Sequence, residues 1–431
     1  MSDVRRIFND YLLNECIHPI RDPLWGHVYF PESFLNIVQT PEYQQLGRIK
    51  QLGPSYLVYP GATHSRLNHS LGVFHIASRM VKRMSQSNIQ LPLTLQGAKA
   101  FLAAALLHDL GHFPYTHSLK ELPLEEHEQL TSRLILDSSI TDILKNDAGV
   151  DPGMVAAIVD ETLPNRSREV AFFRKILSGP IDPDKLDYLN RDAYFCGVPY
   201  GFQDVDYILS VLQPHPDHGF TITQNGVSAI EGLLFSKYLM YRAVYWHPTV
   251  RTATGMIKKA LHRGLEKESI SLSELYGLDD DSFYRSFAEN QGEEFSLIRK
   301  VYNRDLFKTI GTWSVAPENP QHIHLDDLTH RSIQEELIRS ELSELLDMHV
   351  DDYQILLDIP ENISFESKLM IDRDSEIISY HESETVFTQE VVHQFTRNLR
   401  KIRLSVAPSV KDRIIQKNIS AEQLLSLGGL D

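Results

Sequence analysis

Apolar residues recur every three or four positions over much of the chain, the spacing of one buried helix face. Leu71, Phe74, Ala77, Met80, Val81 and Met84 share such a face across 66–86. Residues 98–110 are nearly all apolar apart from Lys99, His108 and Asp109, and their length and alanine content predict a buried helix that Gly111 ends. Further helices are predicted at 125–137, 153–161, 168–177, 184–195, 204–213, 227–245, 252–262, 271–276 and 332–347, with a helical tail over 408–427. Ser33 to Gln45 reads as a short helix that Pro41 breaks or restarts. Strand patterns are fewer. His27 to Phe30 alternates weakly, and 353–357, 376–379 and 401–406 are strand-like. Residues 220–223 followed by Asn225-Gly226 predict a small hairpin. Helices joined by short turns indicate an α bundle rather than a βαβ array. The expected architecture is mainly α: a helical core with small β hairpins over 1–330, then a smaller C-terminal α+β region over 331–431.

Composition sharpens this only at the edges. With 42% hydrophobic and 23% charged residues in 431, the chain is an ordinary soluble globular protein and not a disordered, collagen-like or fibrous one. Its formal charge of −16 argues against sequence-independent nucleic-acid binding, while a local cleft can still take a small phosphorylated ligand. Two cysteines, Cys16 and Cys196, cannot build a disulfide framework or a four-cysteine zinc site. No signal peptide and no membrane span is expected, and the predicted location is the cytoplasm. Asp279-Asp280-Asp281 reads as a solvated turn.

The chemistry lies in polar residues set within apolar helices. His108 and Asp109 follow seven apolar residues, and a buried charge needs a partner or a metal. His112 lies one turn further on, and His117 five residues beyond it. Arg66 and His69 open the 66–86 helix, with His64 just before. Asp184, Lys185, Asp187, Tyr188, Arg191 and Asp192 place six functional side chains in nine positions. One shared site is the best common explanation of these regions; a hydrogen-bonded core is the alternative for His108 and Asp109 alone. Two imidazoles and two carboxylates would suit Mn²⁺, Fe²⁺, Zn²⁺, Ni²⁺ or Co²⁺, and Mg²⁺ less well, with no choice among them.

His69, then Leu106-Leu107-His108-Asp109-Leu110-Gly111-His112, then Asp184 resemble the H…HD…D pattern of the HD superfamily. Gln51-Leu52-Gly53, Tyr59-Pro60-Gly61-Ala62-Thr63-His64-Ser65-Arg66, His69-Ser70-Leu71-Gly72 and the run from Asp184 to Asp192 resemble its deoxynucleoside triphosphate triphosphohydrolase branch, as does the opening Ile20-Arg21-Asp22-Pro23 with Trp25-Gly26. That branch includes the vertebrate SAM-and-HD-domain enzyme and bacterial relatives; no SAM domain is expected ahead of these motifs. The resemblance covers about 20–260 well and the remainder thinly.

The resemblance implies a helical HD bundle with one divalent metal held by His69, His108, Asp109 and Asp184. It places Arg66 and Lys185 on phosphate, Gln51 and Leu52 against the sugar, and Tyr188 and Asp192 on its 3′ side. His112, His117, His127 and Glu128 form the acid–base and phosphate-binding group, with His117 favoured as the acid; Lys237 and Tyr245 align more loosely with phosphate and base contacts. The implied reaction turns a deoxynucleoside triphosphate into deoxynucleoside and inorganic triphosphate. Implied partners are the nucleotide substrate, an activating nucleotide as in some relatives, and further copies of the chain as a dimer or tetramer. Alternatives are an HD phosphohydrolase of nucleoside monophosphates or phosphodiesters, and a catalytically weak nucleotide-binding regulator.

The chain departs from the pattern at two places. Lys120 stands where relatives carry a carboxylate, and Glu121, one residue late, is rotated by about 100° on a helix. Phe113 replaces a common glycine, and its ring is expected to narrow the pocket mouth or cover the metal. The remaining histidines, including the 215/218 and 322/324 pairs, are expected to have surface or local structural roles.

Overall fold

Ser65 begins the helix that carries His69. Its hydroxyl accepts from Asn68 N while the Asn68 side chain accepts from Ser65 N, a reciprocal cap that sets the start of Arg66–Gln86. The computed structural model describes residues 2–316, 318–363, 368–373 and 376–430. Thr94 caps the next helix, Leu95–Leu107, which is buried from Ala100 to Leu107 and packs between Arg66–Gln86 and Pro152–Val159. It stops three residues before the predicted end. The chain then turns tightly, Leu110 N donating to Leu107 O and His112 N to Asp109 O, so His108 and Asp109 sit at the helix end rather than inside it. Gly111 permits the turn: a Cβ there would lie 2.5 Å from His127 O.

Asp184 rides on Pro183–Cys196, capped by Asp182 and ended by Gly197 at φ +67°. This helix lies against Arg66–Gln86, and the approach is close because residue 72 is glycine: a Cβ would fall 1.9 Å from Asp187 Oδ1.

The chain is mainly α, with small sheets among the described residues. His18–Asp22 pairs antiparallel with Gly26–Phe30 across the predicted turn. Residues 220–223 do form a strand, within Gly219–Thr223, but Asn225-Gly226 is not its hairpin turn. Gly226 has φ −83° and leads into helix Val227–Met240, whereas the tight hairpin turn needs positive φ. The antiparallel partner lies upstream, in Leu212–His215, which also ends the predicted 204–213 helix at Val211. Met370–Arg373 joins Gly219–Thr223 in parallel, and Glu376–Ser379 extends that sheet. A second antiparallel sheet places Lys401–Val406 between Lys308–Ser314 and Ile355–Asp358.

The apolar interior forms two clusters. The first runs from Phe8 to Trp246 and adds residues between Leu369 and Leu399. The second gathers residues from Ala253 to Leu430, on both sides of position 330, and takes Leu57, Phe113, Leu119, Leu122 and Leu130 from the segments around the histidines. Asp279 caps Asp280–Phe283 and pairs with Arg48 at 2.5 Å. His322 is structural: Nδ1 accepts from Ala316 N and Nε2 meets Leu430 O, both at 3.0 Å. Among the described residues no helix is long and apolar enough to cross a membrane.

Candidate metal centre

The four ligand positions converge. His69 Nε2 lies 2.9 Å from Asp184 Oδ1 and 3.9 Å from Asp109 Oδ2. His108 Nε2 lies 3.3 Å from Asp109 Oδ1 and 3.9 Å from Asp184 Oδ1. Ligand atoms about 2.0–2.2 Å from one ion sit at comparable separations from one another. The outer nitrogens fix the tautomers. His69 Nδ1 donates to Asp187 Oδ2 at 2.8 Å, and His108 Nδ1 to Ala105 O at 2.9 Å. Both Nε2 atoms face carboxylates: against burial, which lowers it, the hydrogen bonds of His69 to Asp184 and Asp187 push its pKa up to about 10, so the position draws positive charge, and buried His108 Nε2 has no hydrogen-bond partner. Lone pairs and carboxylates facing one another repel unless a cation lies between them, so the residues present fit a divalent metal.

Asp109 is the hub. It also accepts from Arg66 NH1 at 2.7 Å and lies 3.3 Å from His112 Nδ1. Burial pushes its pKa up, but the surrounding His112, His108 and Arg66 charges hold it well below the carboxylate range. Arg66, itself 3% exposed, keeps a buried Nε without a partner.

Beside this hub stand three clustered imidazoles, their rings tilted or edge-on to one another. His112 Nε2 meets His117 Nε2 at 3.1 Å, and the His112 and His127 rings lie 4.0 Å apart. His112 is buried and His117 is exposed at the rim. His127 Nδ1 lies 3.3 Å from Glu128 Oε2, and Glu128 is half-buried. Burial first, then the charges of Arg66 and Lys120, lower the His127 pKa to about 4. Lys120→Glu replaces a repelling cation with an anion, which favours the imidazolium. The His127 titration is therefore expected to move up in pH, read from its imidazole NMR shifts; an unmoved curve would mean that Lys120 does not act on this ring.

The remaining predicted residues fall into three groups. Asp192 is buried, and both its oxygens are engaged: Tyr245 OH donates at 2.7 Å and His64 Nε2 lies at 2.9 Å. Tyr188 faces Tyr245 edge to face at 6.4 Å. Lys185 Nζ pairs with Asp182 and donates to Gly179 O at 2.8 Å. Lys237 is partly buried, and burial together with the Lys185 charge lowers its pKa to about 8. Gln51 N donates to His64 O at 3.0 Å while its buried Oε1 has no partner, and Leu52 packs on the first core.

Phe113 does not narrow the pocket or cover the metal. It is fully buried in the second core, 5.6 Å from the Tyr276 ring, because the turn after His112 directs it away. Glu121 is no stand-in for the missing carboxylate: it binds Lys258 and Arg331 instead. The sequence pattern assigned no role to Asp187. Its oxygens accept from His69, from Arg191 Nε and NH2, and from Trp25 Nε1 at 2.5 Å, while Arg191 NH1 reaches Asp22 at 2.9 Å. The signal available was its spacing, one turn before Arg191 on the Asp184 helix.

Known proteins resemble this chain. The HD domain family matches residues 66–167, and the HD associated region matches 204–424. An uncharacterized Bacillus subtilis protein, YwfO, is 34% identical over 315 residues, covering 67% of this chain and 71% of that one. The deoxynucleoside triphosphate triphosphohydrolase SAMHD1 of Homo sapiens is 25% identical over 413 residues, covering 83% of this chain and 64% of that one, so this chain spans less than two thirds of its length. The crystal structure of a phosphohydrolase from Bacteroides thetaiotaomicron superposes with a TM-score of 0.70 at 25% identity, over 90% of this chain and 99% of that one. Fold and site together define a metal-binding phosphohydrolase. The chain belongs to the HD-domain family.

Proposed function

We propose that this protein hydrolyses deoxynucleoside triphosphates to deoxynucleoside and inorganic triphosphate. The observation that carries the reading is the convergence of the four ligand side chains with Arg66 and the three-histidine cluster. The likeness to a named deoxynucleoside triphosphate triphosphohydrolase supports the choice of substrate.

A divalent cation bound by His69, His108, Asp109 and Asp184 supplies Lewis-acid polarisation of the phosphoryl group and lowers the pKa of water. Arg66, anchored on Asp109, has its unpartnered Nε to offer to an α-phosphate oxygen. Water attacks the α-phosphorus, the bond from phosphorus to the 5′-oxygen breaks, and that oxygen leaves with a proton from His117. His112, between Asp109 and His117, holds the donor ring in place. Lys185 and Lys237 bring positive charge to the phosphate chain, and a bound anion would draw the Lys237 pKa back up from about 8. Gln51 Oε1 is open to a sugar hydroxyl, and Leu52 opposes a 2′-hydroxyl. Asp192 holds Tyr245 beside Tyr188 as the wall of the nucleoside pocket. The reading extends to a homo-oligomer in the cytoplasm that holds one divalent metal, its identity left open by the ligand set, and takes a nucleotide activator as a further partner.

The test is chromatography of the products formed from each of the four deoxynucleoside triphosphates, alone and mixed, with Mn²⁺. Deoxynucleoside and intact triphosphate are expected, and a strict need for the mixture would reveal activation. Orthophosphate or a monophosphate as product would favour another HD phosphohydrolase, and nucleotide binding without turnover in metal-loaded protein would favour a regulator.

A further inference from the structure

The loop that carries His117 is held by the second core, not by the core that holds the metal ligands. Phe113, Leu119 and Leu122 are each at most 3% exposed and all belong to the second cluster. Between them, Tyr115 adopts φ +66°, a conformation rare for a bulky residue, and its ring packs 5.1 Å from Phe283. These apolar contacts seat the loop, and an ion pair beyond His117 adds a directional constraint. Glu121, four residues after His117, accepts at Oε2 from Lys258 Nζ at 2.7 Å and from Arg331 NH1 at 2.8 Å. Lys258 comes from helix Pro248–Glu266 and Arg331 from helix Leu328–Leu346, and they are 6% and 4% exposed. Arg331 is itself fixed by two hydrogen bonds to Leu325 O, at 2.9 and 2.7 Å. Two buried cations sharing one carboxylate strongly resist its displacement.

We propose that Glu121 is a positioning residue: its double ion pair to Lys258 and Arg331 fixes the loop so that His117 stands against His112 at the metal centre. The charge one residue late in the sequence thus acts on His117 through the backbone, and the second core sets the proton-transfer geometry. This rests on the reading of His117 as the acid.

The experiment uses full-length, metal-loaded protein and Glu121→Gln, which keeps the shape and removes the charge. Four quantities are read: kcat, KM, metal content, and the rate at which diethyl pyrocarbonate modifies His117, followed by peptide mass spectrometry. A fall in kcat of about tenfold or more is expected, since small misplacements of a reacting group are costly. KM should stay within about twofold, on the same positional argument. Metal content should be unchanged, and His117 reactivity should change by roughly threefold or more as its contact with His112 loosens. Lys258→Met, which leaves the Arg331 pair, should move both readouts in the same direction by less, and it decides the matter if Glu121→Gln does not fold. Unchanged kcat and unchanged His117 reactivity in folded variant would overturn the proposal, as would a loss confined to thermal stability. His117→Ala separates the two ideas: full activity in that variant would refute the acid assignment, while an altered His117 reactivity in Glu121→Gln would still report the positioning.

Discussion

Asp109→Asn is expected to empty the metal site and abolish hydrolysis while the protein stays folded. Among the described residues Asp109 is the one carboxylate within reach of His69, His108, His112 and Arg66 together. Asparagine keeps the shape and one acceptor for Arg66 but removes the negative charge that a hard cation needs. Charge stabilisation by a catalytic metal is worth several kcal/mol, and each 1.36 kcal/mol is tenfold, so turnover should fall by about 10³-fold or more. Alanine would be a poorer choice, because it would also strand a buried guanidinium. Metal content by elemental analysis and turnover should be lost together. Retained activity would remove the proposed site.

Asp187→Ala is expected to cost both stability and metal. Arg191 is fully buried and makes two of its three carboxylate bonds to Asp187, leaving only Asp22 after the substitution. Breaking a buried pair of this kind costs about 3–5 kcal/mol. The same change frees the His69 ring, whose Nδ1 proton no longer has an acceptor, and loss of such a partner typically weakens metal binding by about 10–100-fold. Asp187→Asn retains an acceptor for His69 and should keep more of the affinity than of the stability. Thermal unfolding and a competitive metal titration check the two effects separately. A variant normal in both would show that His69 is oriented by something else.

The candidate metal-binding residues stand out in the sequence because they violate their surroundings. A histidine and an aspartate after seven apolar residues, and a histidine in the first turn of an amphipathic helix, stand out from the pattern that buries them. Most helices were legible for the complementary reason, since their apolar faces repeat over three or more turns. What escaped was pairing. Lys308–Ser314 alternates, but with glycine and serine in place of a clear apolar stripe, so nothing local marks it as an edge of the Lys401–Val406 sheet. Asn225-Gly226 carries a turn signal that a helix start absorbed. Phe113 could be called large from its letter, but which core it enters depends on residues more than 150 positions away, such as Tyr276. The spacing of Asp187 from Arg191 hinted at their pair, but its bonds to His69 and Trp25, and those of Glu121 to Lys258 and Arg331, depend on partners brought by other segments.

In the proposed reaction water attacks the α-phosphorus at the centre formed by His69, His108, Asp109 and Asp184. Hydrolysis of a deoxynucleoside triphosphate in ¹⁸O-labelled water, followed by mass spectrometry of both products, tests this most directly. The account predicts one labelled oxygen in the inorganic triphosphate and none in the deoxynucleoside. Label in the deoxynucleoside, or label in orthophosphate with a diphosphate left behind, would contradict it.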